Sequence, residues 1–393
     1  MPPSRSRLIE LAAVFLKLGT IGFGGPAAHI AMLEDEIVTR RQWISQAQFL
    51  DLVGLTNLIP GPSSTELAIY IGYLRAGWWG LVIAGVCFIL PAMAIVWALA
   101  IWYDRSQTIP AIIAIFAAIK PVVVVLTIQA AWKLGRFSRG EAPPTAIKNI
   151  PTGVAGILSI GLFGFLDLNT LIVLLFAGFG VMGWQNWRDW SSGLFGLWLP
   201  KIELPLLAIF PVIASHPSWL DVFTIFLKIG ATIYGGGYVL LAFLQPELVA
   251  KTHWLTSTQL LDAIAIGQVT PGPLFTTATF IGYLLAGHSG AIAATVGIFL
   301  PSFGFVALVT YWAPQLQTSS WFRNWLDGVN AGAWGTIVVV AYRLGMSTLI
   351  DWQSISIAMI GWLLLWRWRI NAIWLIAGSA IIGLVGQFAQ SHR

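Results

Sequence analysis

Charge is what this sequence has least of. Only 9% of its 393 residues are charged, where soluble domains carry about 25%. A chain that is 57% hydrophobic cannot cover a water-facing surface with so few charges, so lipid is its implied solvent. Cysteine is nearly missing too. Cys87 stands alone in an apolar run, which excludes an intramolecular disulfide and a Cys-cluster metal site. It reads as a small core hydrophobe. The five histidines show no close pairing, so the spacing offers neither a metal cluster nor a nucleophile–base–acid arrangement. No metal, cofactor or enzymatic activity is expected. The phosphate-binding pattern Gly-x-x-x-x-Gly-Lys-Ser/Thr is absent, so nucleotide hydrolysis is not supported. The net charge of +5 comes from basic residues scattered at segment ends. A nucleic-acid binder would need an exposed basic face.

What is abundant is apolar sequence. Long runs cover about 8–30, 46–75, 79–103, 110–134, 152–166 and 169–186. They resume at about 204–215, 220–244, 257–286, 289–313, 324–349, 354–366 and 371–389. A membrane span needs about 20 apolar residues, and fewer when it is half a broken helix. Barrel strands alternate over about ten residues, which these continuous runs do not do. The expected fold is an all-α polytopic membrane protein. The 21 tryptophans agree, because indole rings favour the headgroup zone; several sit at segment ends, as at Trp78, Trp79, Trp366 and Trp368. The basic first residues run into Glu10 and Lys17, a poor secretory signal, so the N-terminus is read as retained.

The chain also repeats itself. Phe15-Leu16-Lys17-Leu18-Gly19 returns as Phe226-Leu227-Lys228-Ile229-Gly230, and Phe23-Gly24-Gly25-Pro26 as Tyr234-Gly235-Gly236-Gly237. Pro60-Gly61-Pro62 returns 211 residues later as Pro271-Gly272-Pro273. Ile71-Gly72-Tyr73 and Ile281-Gly282-Tyr283 are 210 apart. The boundaries expected are 1–140 for the first repeat and 141–215 for a connecting segment with about three membrane segments. The second repeat takes 216–350 and a terminal hairpin 351–393. Matched Gly/Pro interruptions in a duplicated apolar module point to a transporter site between the repeats.

Lys and Arg in short loops set the orientation. Arg5 and Arg7 place the N-terminus in the cytoplasm; Lys133, Arg136, Arg139 and Lys148 place the end of the first repeat there as well. The hairpin 152–186 returns inside. One further crossing around 191–215 would put Asp221 outside and invert the second repeat, with Lys251 and Arg323 inside and His288 and Asp351 outside.

The run Asn57-Leu58-Ile59-Pro60-Gly61-Pro62-Ser63-Ser64-Thr65-Glu66 reads as one half-helix ending and another beginning. Both prolines lack an N–H and obstruct a continuous helix, and Gly61 supplies backbone freedom. The amides of Ser63, Ser64 and Thr65 are then expected to lack intrahelical acceptors. Bare N–H groups, a positive dipole end and hydroxyls make an anion site. The second repeat offers Gln268, Gly272 and Thr276. Gly24 and Gly25, and Gly235 and Gly236, would break the preceding helices. If the repeats are inverted, all four breaks can converge. The opposing reading is a pair of structural kinks, since Gly and Pro are common in membrane helices.

Among the charges, Lys17 and Lys228 match and lie near segment ends, where snorkelling is expected. Lys120 has Asn330 as its mate. It suits an anion counter-charge, or else snorkels or pairs with a carboxylate. Asp51 and Asp262 match, which favours a shared structural job. Glu66 has no acidic twin and is a candidate proton carrier, as is His29; a single such histidine is more often a satisfied polar residue.

Three stretches carry a family resemblance: Phe23-Gly24-Gly25-Pro26-Ala27-Ala28-His29-Ile30, the 57–66 run, and Ile69-Tyr70-Ile71-Gly72-Tyr73. With them the chain resembles the chromate transporter (CHR) family, of the long two-domain bacterial type. The second Gly-Gly-Gly and Pro-Gly-Pro set resembles that family's C-terminal domain. The resemblance implies a multi-pass bacterial inner-membrane carrier that exports chromate, with sulfate as the physiological mimic. Uptake of sulfate or another oxyanion stays open. Repeat 2 departs from the pattern, with Thr276 and Thr277 where repeat 1 has Glu66. Implied partners are chromate and sulfate and membrane lipids, with a homodimer as an option and no nucleic acid. The competing classes are an anion channel, which would show no saturation, and a membrane-embedded enzyme, which would need a reactive His, Asp or Cys cluster.

Overall fold

The computed structural model describes residues 5–135, 148–166, 168–186, 217–233, 239–368 and 370–391. Every described element is helical. Repeat 1 comprises α1 (Arg5–Ile21), α2 (Gly25–Glu34, prolonged by a π-turn Asp35–Arg40), α3 (Gln46–Thr56), α4 (Ser63–Ser106) and α5 (Pro110–Gly135). A hairpin follows, α6 (Ile150–Gly164) and α7 (Thr170–Gln185). Repeat 2 comprises α8 (Trp219–Thr232), α9 (Leu240–Leu244, prolonged by Gln245–Lys251), α10 (Ser257–Val269), α11 (Thr277–Thr318) and α12 (Ser320–Thr348). A second hairpin closes the chain, α13 (Trp352–Arg367) and α14 (Ala372–Ser391). Among the described residues, four apolar runs are long enough to cross a membrane: Ser63–Ser106, Pro110–Gly135, Leu274–Tyr311 and Ala372–Ala389.

Matched local chemistry starts matched helices. Ser45 and Gln48 form a capping box before α3; Thr256 and Gln259, 211 residues on, form the same box before α10. Each box satisfies two amide donors that a helix start leaves bare. Gln42 and His253, also 211 apart, take the left-handed backbone conformation (φ 50° and 54°) that turns the chain into those boxes.

The runs at 8–30 and 46–75 are not single crossings. Lys17 bonds Glu36 at 3.1 Å and Arg41 bonds Glu10 at 2.7 Å. So α2 doubles back along α1, with its tip at Gly22–Gly25. Arg75 reaches Glu10 at 3.3 Å and lies 4.8 Å over the Trp43 ring. The chain therefore runs inward along α3, turns at 57–62, and returns along residues 63–75 to the face where it began. Apolarity cannot separate these cases, because two half-helices hold as many apolar residues as one span.

α4 is itself a hairpin. Gly72 backs on Gly80 and Ala84, and Gly85 on Ile69, although residues eight apart on a straight helix are about 12 Å apart. The turn is at Ala76 (φ −147°, ψ 23°) and Gly77 (φ 61°, ψ −148°). Repeat 2 copies it at Ala286 (φ −144°, ψ 29°) and Gly287 (φ 61°, ψ −146°). Gly is required there because φ near +60° strains a residue with a Cβ. Each repeat thus has two hairpins open on one face, a long arm (78–106 or 288–318) that crosses, and a helix that returns.

The long arms run antiparallel. Trp97 stacks near His288 with ring centroids 5.6 Å apart, while Gly85 meets Phe303. Tyr103, near the far end of its arm, meets Asp262 and Phe280. The open end of repeat 2 therefore lies where the long arm of repeat 1 finishes, and the repeats are inverted. Two charge placements change. Lys228 and Lys251 both pair with Glu247, at 2.6 and 3.6 Å. Lys251 thus returns to the face from which α8 starts, that of Asp221 and His288, instead of the opposite one. Lys17 and Lys228 do not simply snorkel; each is held by a carboxylate across its hairpin, and those carboxylates are again 211 residues apart. The crossing expected around 191–215 lies outside the described residues.

Candidate functional site

The breaks meet in pairs, and the pairing crosses between repeats. Gly61 donates its N–H to the Ile233 carbonyl at 2.8 Å, and Gly272 donates to the Gly22 carbonyl at 2.6 Å. Gly22 and Ile233 are themselves 211 residues apart, as are Gly61 and Gly272. Each Pro-Gly-Pro tip is thus docked on the C-terminal end of the other repeat's first helix. Both glycines have positive φ (139° and 93°), and a Cβ would strike Glu66 and Ser302 at Gly61, or Ala92 at Gly272.

This docking uses up donors that the sequence suggested were bare. The amides of Gly61 and Gly272 are spent. The Thr65 and Glu66 amides close on the Pro62 carbonyl at 2.7 and 3.0 Å, so the expected row from Ser63 to Thr65 loses its last member. Thr276 gives both its amide and its hydroxyl to the Pro273 carbonyl, at 3.0 and 2.7 Å. The Ser64 hydroxyl lies 3.3 Å from His29 Nδ1, whose Nε2 lies 3.0 Å from the Gly22 carbonyl. His29 is buried and held at both ring nitrogens. Ser63 is half-buried, and Asn57 caps the end of α3 on an exposed position.

Lys120 does not face an open cavity. Its Nζ stands 3.6 Å from Asp262, which also accepts from the Tyr103 hydroxyl at 2.8 Å. Of the roles open from sequence, the structure places it with a carboxylate. Asp51, the sequence mate of Asp262, is exposed, so the two do not share an environment. Glu66 is fully buried, and neither carboxyl oxygen has a hydrogen-bond partner among the described residues. Ser302 Oγ stands on the same side of Gly61 without reaching hydrogen-bond geometry, and Thr65 Oγ1 is likewise unpartnered. Gly235 and Gly236 lie outside the described residues.

Gly24 and Gln268 do come together. They line a cavity of about 690 Å³ between the tips of the first and second repeats, with Gln129, Lys133 and Asn371 as its other polar side chains. Trp132, Trp362 and Trp366 form its aromatic wall. Gly25 follows Gly24 at the same tip, with φ 79°. No carboxylate lines this space among the described residues. One ammonium and three amides against aromatic walls suit a ligand that accepts hydrogen bonds and carries negative charge. Sequence reasoning used Lys133 for orientation and as the mate of Arg343, not as a site residue, and missed Gln129 and Asn371. Lys133 has a signal, since Arg343 is its mate 210 residues on. Asn371 has one as well, since Asn169 stands 202 residues earlier and caps α7 in the same way.

The sequence profile of the chromate transporter family matches residues 9–184 and 220–384. The chain is 30% identical to the chromate transport protein of Cupriavidus metallidurans, over 98% of this chain and 94% of that one. It is 29% identical to the chromate transport protein of Pseudomonas aeruginosa, over 98% and 93%. An uncharacterized transporter of Bacillus subtilis matches 32% of this chain at 34% identity and is covered over 71% of its own length. No solved structure matches. With the family profile spanning both inverted repeats and their paired breaks, the chain belongs to the chromate transporter family.

Proposed function

We propose that this protein carries chromate across a bacterial inner membrane, outward from the cytoplasm, as a secondary transporter whose repeats rock about their docked tips. The observation that carries this reading is the carboxylate-free cavity of Gly24, Gln129, Lys133, Gln268 and Asn371 at the junction of the inverted repeats. Chromate and sulfate are tetrahedral dianions that only accept hydrogen bonds, so sulfate is the expected competitor. Basic residues support the orientation: Arg40, Arg41 and Arg75 gather at the open end of repeat 1, and Lys133 lies at the end of α5 that returns to that face. Alternating access is supported by the asymmetry of the two crevices beside the tips. The one at Leu58, Ile59, Pro60 and Thr232 is lined by Leu171, Leu174 and Leu175 and is apolar. Glu66 is the candidate for proton coupling, since a buried carboxylate without a partner is costly unless neutralised. The working division of the chain remains 1–140, 141–215, 216–350 and 351–393.

The test is uptake of radiolabelled chromate into inverted vesicles, with sulfate competition and an uncoupler. Saturable uptake that the uncoupler abolishes is the expected result. Lys133→Gln should lower uptake at limiting chromate by about tenfold or more, the worth of one hydrogen bond to a charged group. Uptake by Lys133→Gln equal to the unmodified protein would remove this cavity as the site. Linear, unsaturable flux would replace the carrier with a channel.

A further inference from the structure

The terminal hairpin α13–α14, most of which falls in the second family match, lines the polar cavity. α14 lies against α5, where Gly383 backs on the Ala114 carbonyl, and α5 carries Gln129 and Lys133. Asn371 sits at the turn of the hairpin and caps α14. Its Oδ1 accepts from the Ile373 amide at 3.2 Å, and its carbonyl from the Trp374 amide at 3.1 Å. The cap fixes the orientation of the side-chain amide. With Oδ1 turned to the helix, Nδ2 faces away from it, 4.0 Å from where a Cβ on Gly24 would stand. Glycine at 24 keeps that approach open.

We propose that Asn371 is a specificity-determining donor, holding one oxygen of a fully deprotonated tetrahedral oxyanion against the Gly24 tip. The inference rests on the cavity being the oxyanion site and adds to it a selecting residue on the terminal hairpin. An amide locked as donor favours an oxygen that only accepts, and disfavours an oxyanion presenting a hydroxyl at that point. At the apolar crevice by Pro60 and Thr232, α7 takes the corresponding place and carries the same cap, Leu171 donating to Asn169 Oδ1 at 3.0 Å, but Asn169 spends its Nδ2 on Glu247 at 3.4 Å and leucines line the crevice. The hairpin after each repeat thereby gives one crevice a polar side chain and the other leucines.

The experiment is chromate binding to the purified full-length protein in detergent. It is read as quenching of tryptophan emission, because Trp132, Trp362 and Trp366 line the cavity and chromate absorbs where tryptophan emits. Asn371→Asp keeps the cap, since Asn and Asp cap helices about equally well, but replaces the fixed donor with an acceptor. It should raise the chromate Kd by about tenfold or more, with the melting temperature unchanged. Asn371→Ser, which caps without that donor, should fall between. Wild-type affinity in Asn371→Asp overturns this inference and leaves the cavity reading standing. Absence of saturable quenching in the unmodified protein overturns the cavity reading itself, and this inference with it.

Discussion

Repeat 1 and repeat 2 have nearly the same backbone and different interiors. Their hairpin turns at Ala76-Gly77 and Ala286-Gly287 agree within a few degrees, and their cross-hairpin pairs Lys17–Glu36 and Lys228–Glu247 occupy matched positions. Several other buried polar groups do not match. Repeat 1 has Glu66 where repeat 2 has Thr276, and repeat 2 has Ser302 where repeat 1 has Ala92. Asp262 is buried against Tyr103 and Lys120, while Asp51 is exposed. Inversion needs two copies of one backbone so that each tip can dock on the other. The copies differ in side chains, which change the interior and leave the shared frame intact.

The largest effect should fall equally on both repeats. Gly72→Leu and Gly282→Leu would each drive a side chain into the facing backbone, at Gly80 and at Gly290. Both variants should fail to accumulate as folded protein, read by size-exclusion chromatography in detergent. Survival of only one would break the equivalence of the hairpins.

Asp262→Ala against Asp51→Ala should separate the copies most clearly. Removing Asp262 strands Lys120 and should cost about 3–5 kcal/mol. Asp51→Ala should stay within about 0.5 kcal/mol, as exposed substitutions do. Thermal unfolding of the purified variants measures both, and equal costs would show that Asp51 has a buried role. Ser302→Ala comes next. It gives repeat 2 the alanine that repeat 1 already holds and removes an unpartnered buried hydroxyl. Stability should change by less than about 1 kcal/mol, and a larger loss would mean the hydroxyl is satisfied.

The smallest effect concerns pH. The Arg41 guanidinium, donating to Glu36 at 2.8 Å, holds that carboxyl below its ordinary value of 4.5. A carboxyl depressed in the folded state stabilises fully above about 4.5 and loses its contribution as pH falls below that, through the folded value. Repeat 2 has Thr252 at the position of Arg41. Glu36→Gln should therefore flatten the acid limb of the melting-temperature profile, and an unaltered limb would exclude the Glu36–Arg41 contact as its source.

The duplication, the helical class and the Gly/Pro breaks were legible because each depends on composition and on short-range backbone rules. Both capping boxes were equally local. The partners of Lys17 and Lys228 were not, because each carboxylate lies 19 residues away across a hairpin, beyond the reach of helical spacing. Lys120 was undecidable for the same reason: Asp262 sits 142 residues on.

Sequence alone determined that this chain lives in lipid, that it carries two copies of one broken-helix module, and where the chain can bend. Lack of charge and obligatory backbone pairing leave no other solution. Only the tertiary structure decided that the broken segments fold back instead of crossing, that each tip docks on the opposite repeat, and that Gly24, Lys133, Gln268 and Asn371 share one space. Those outcomes depend on which distant surfaces meet, and an inverted repeat brings together residues that no local pattern links.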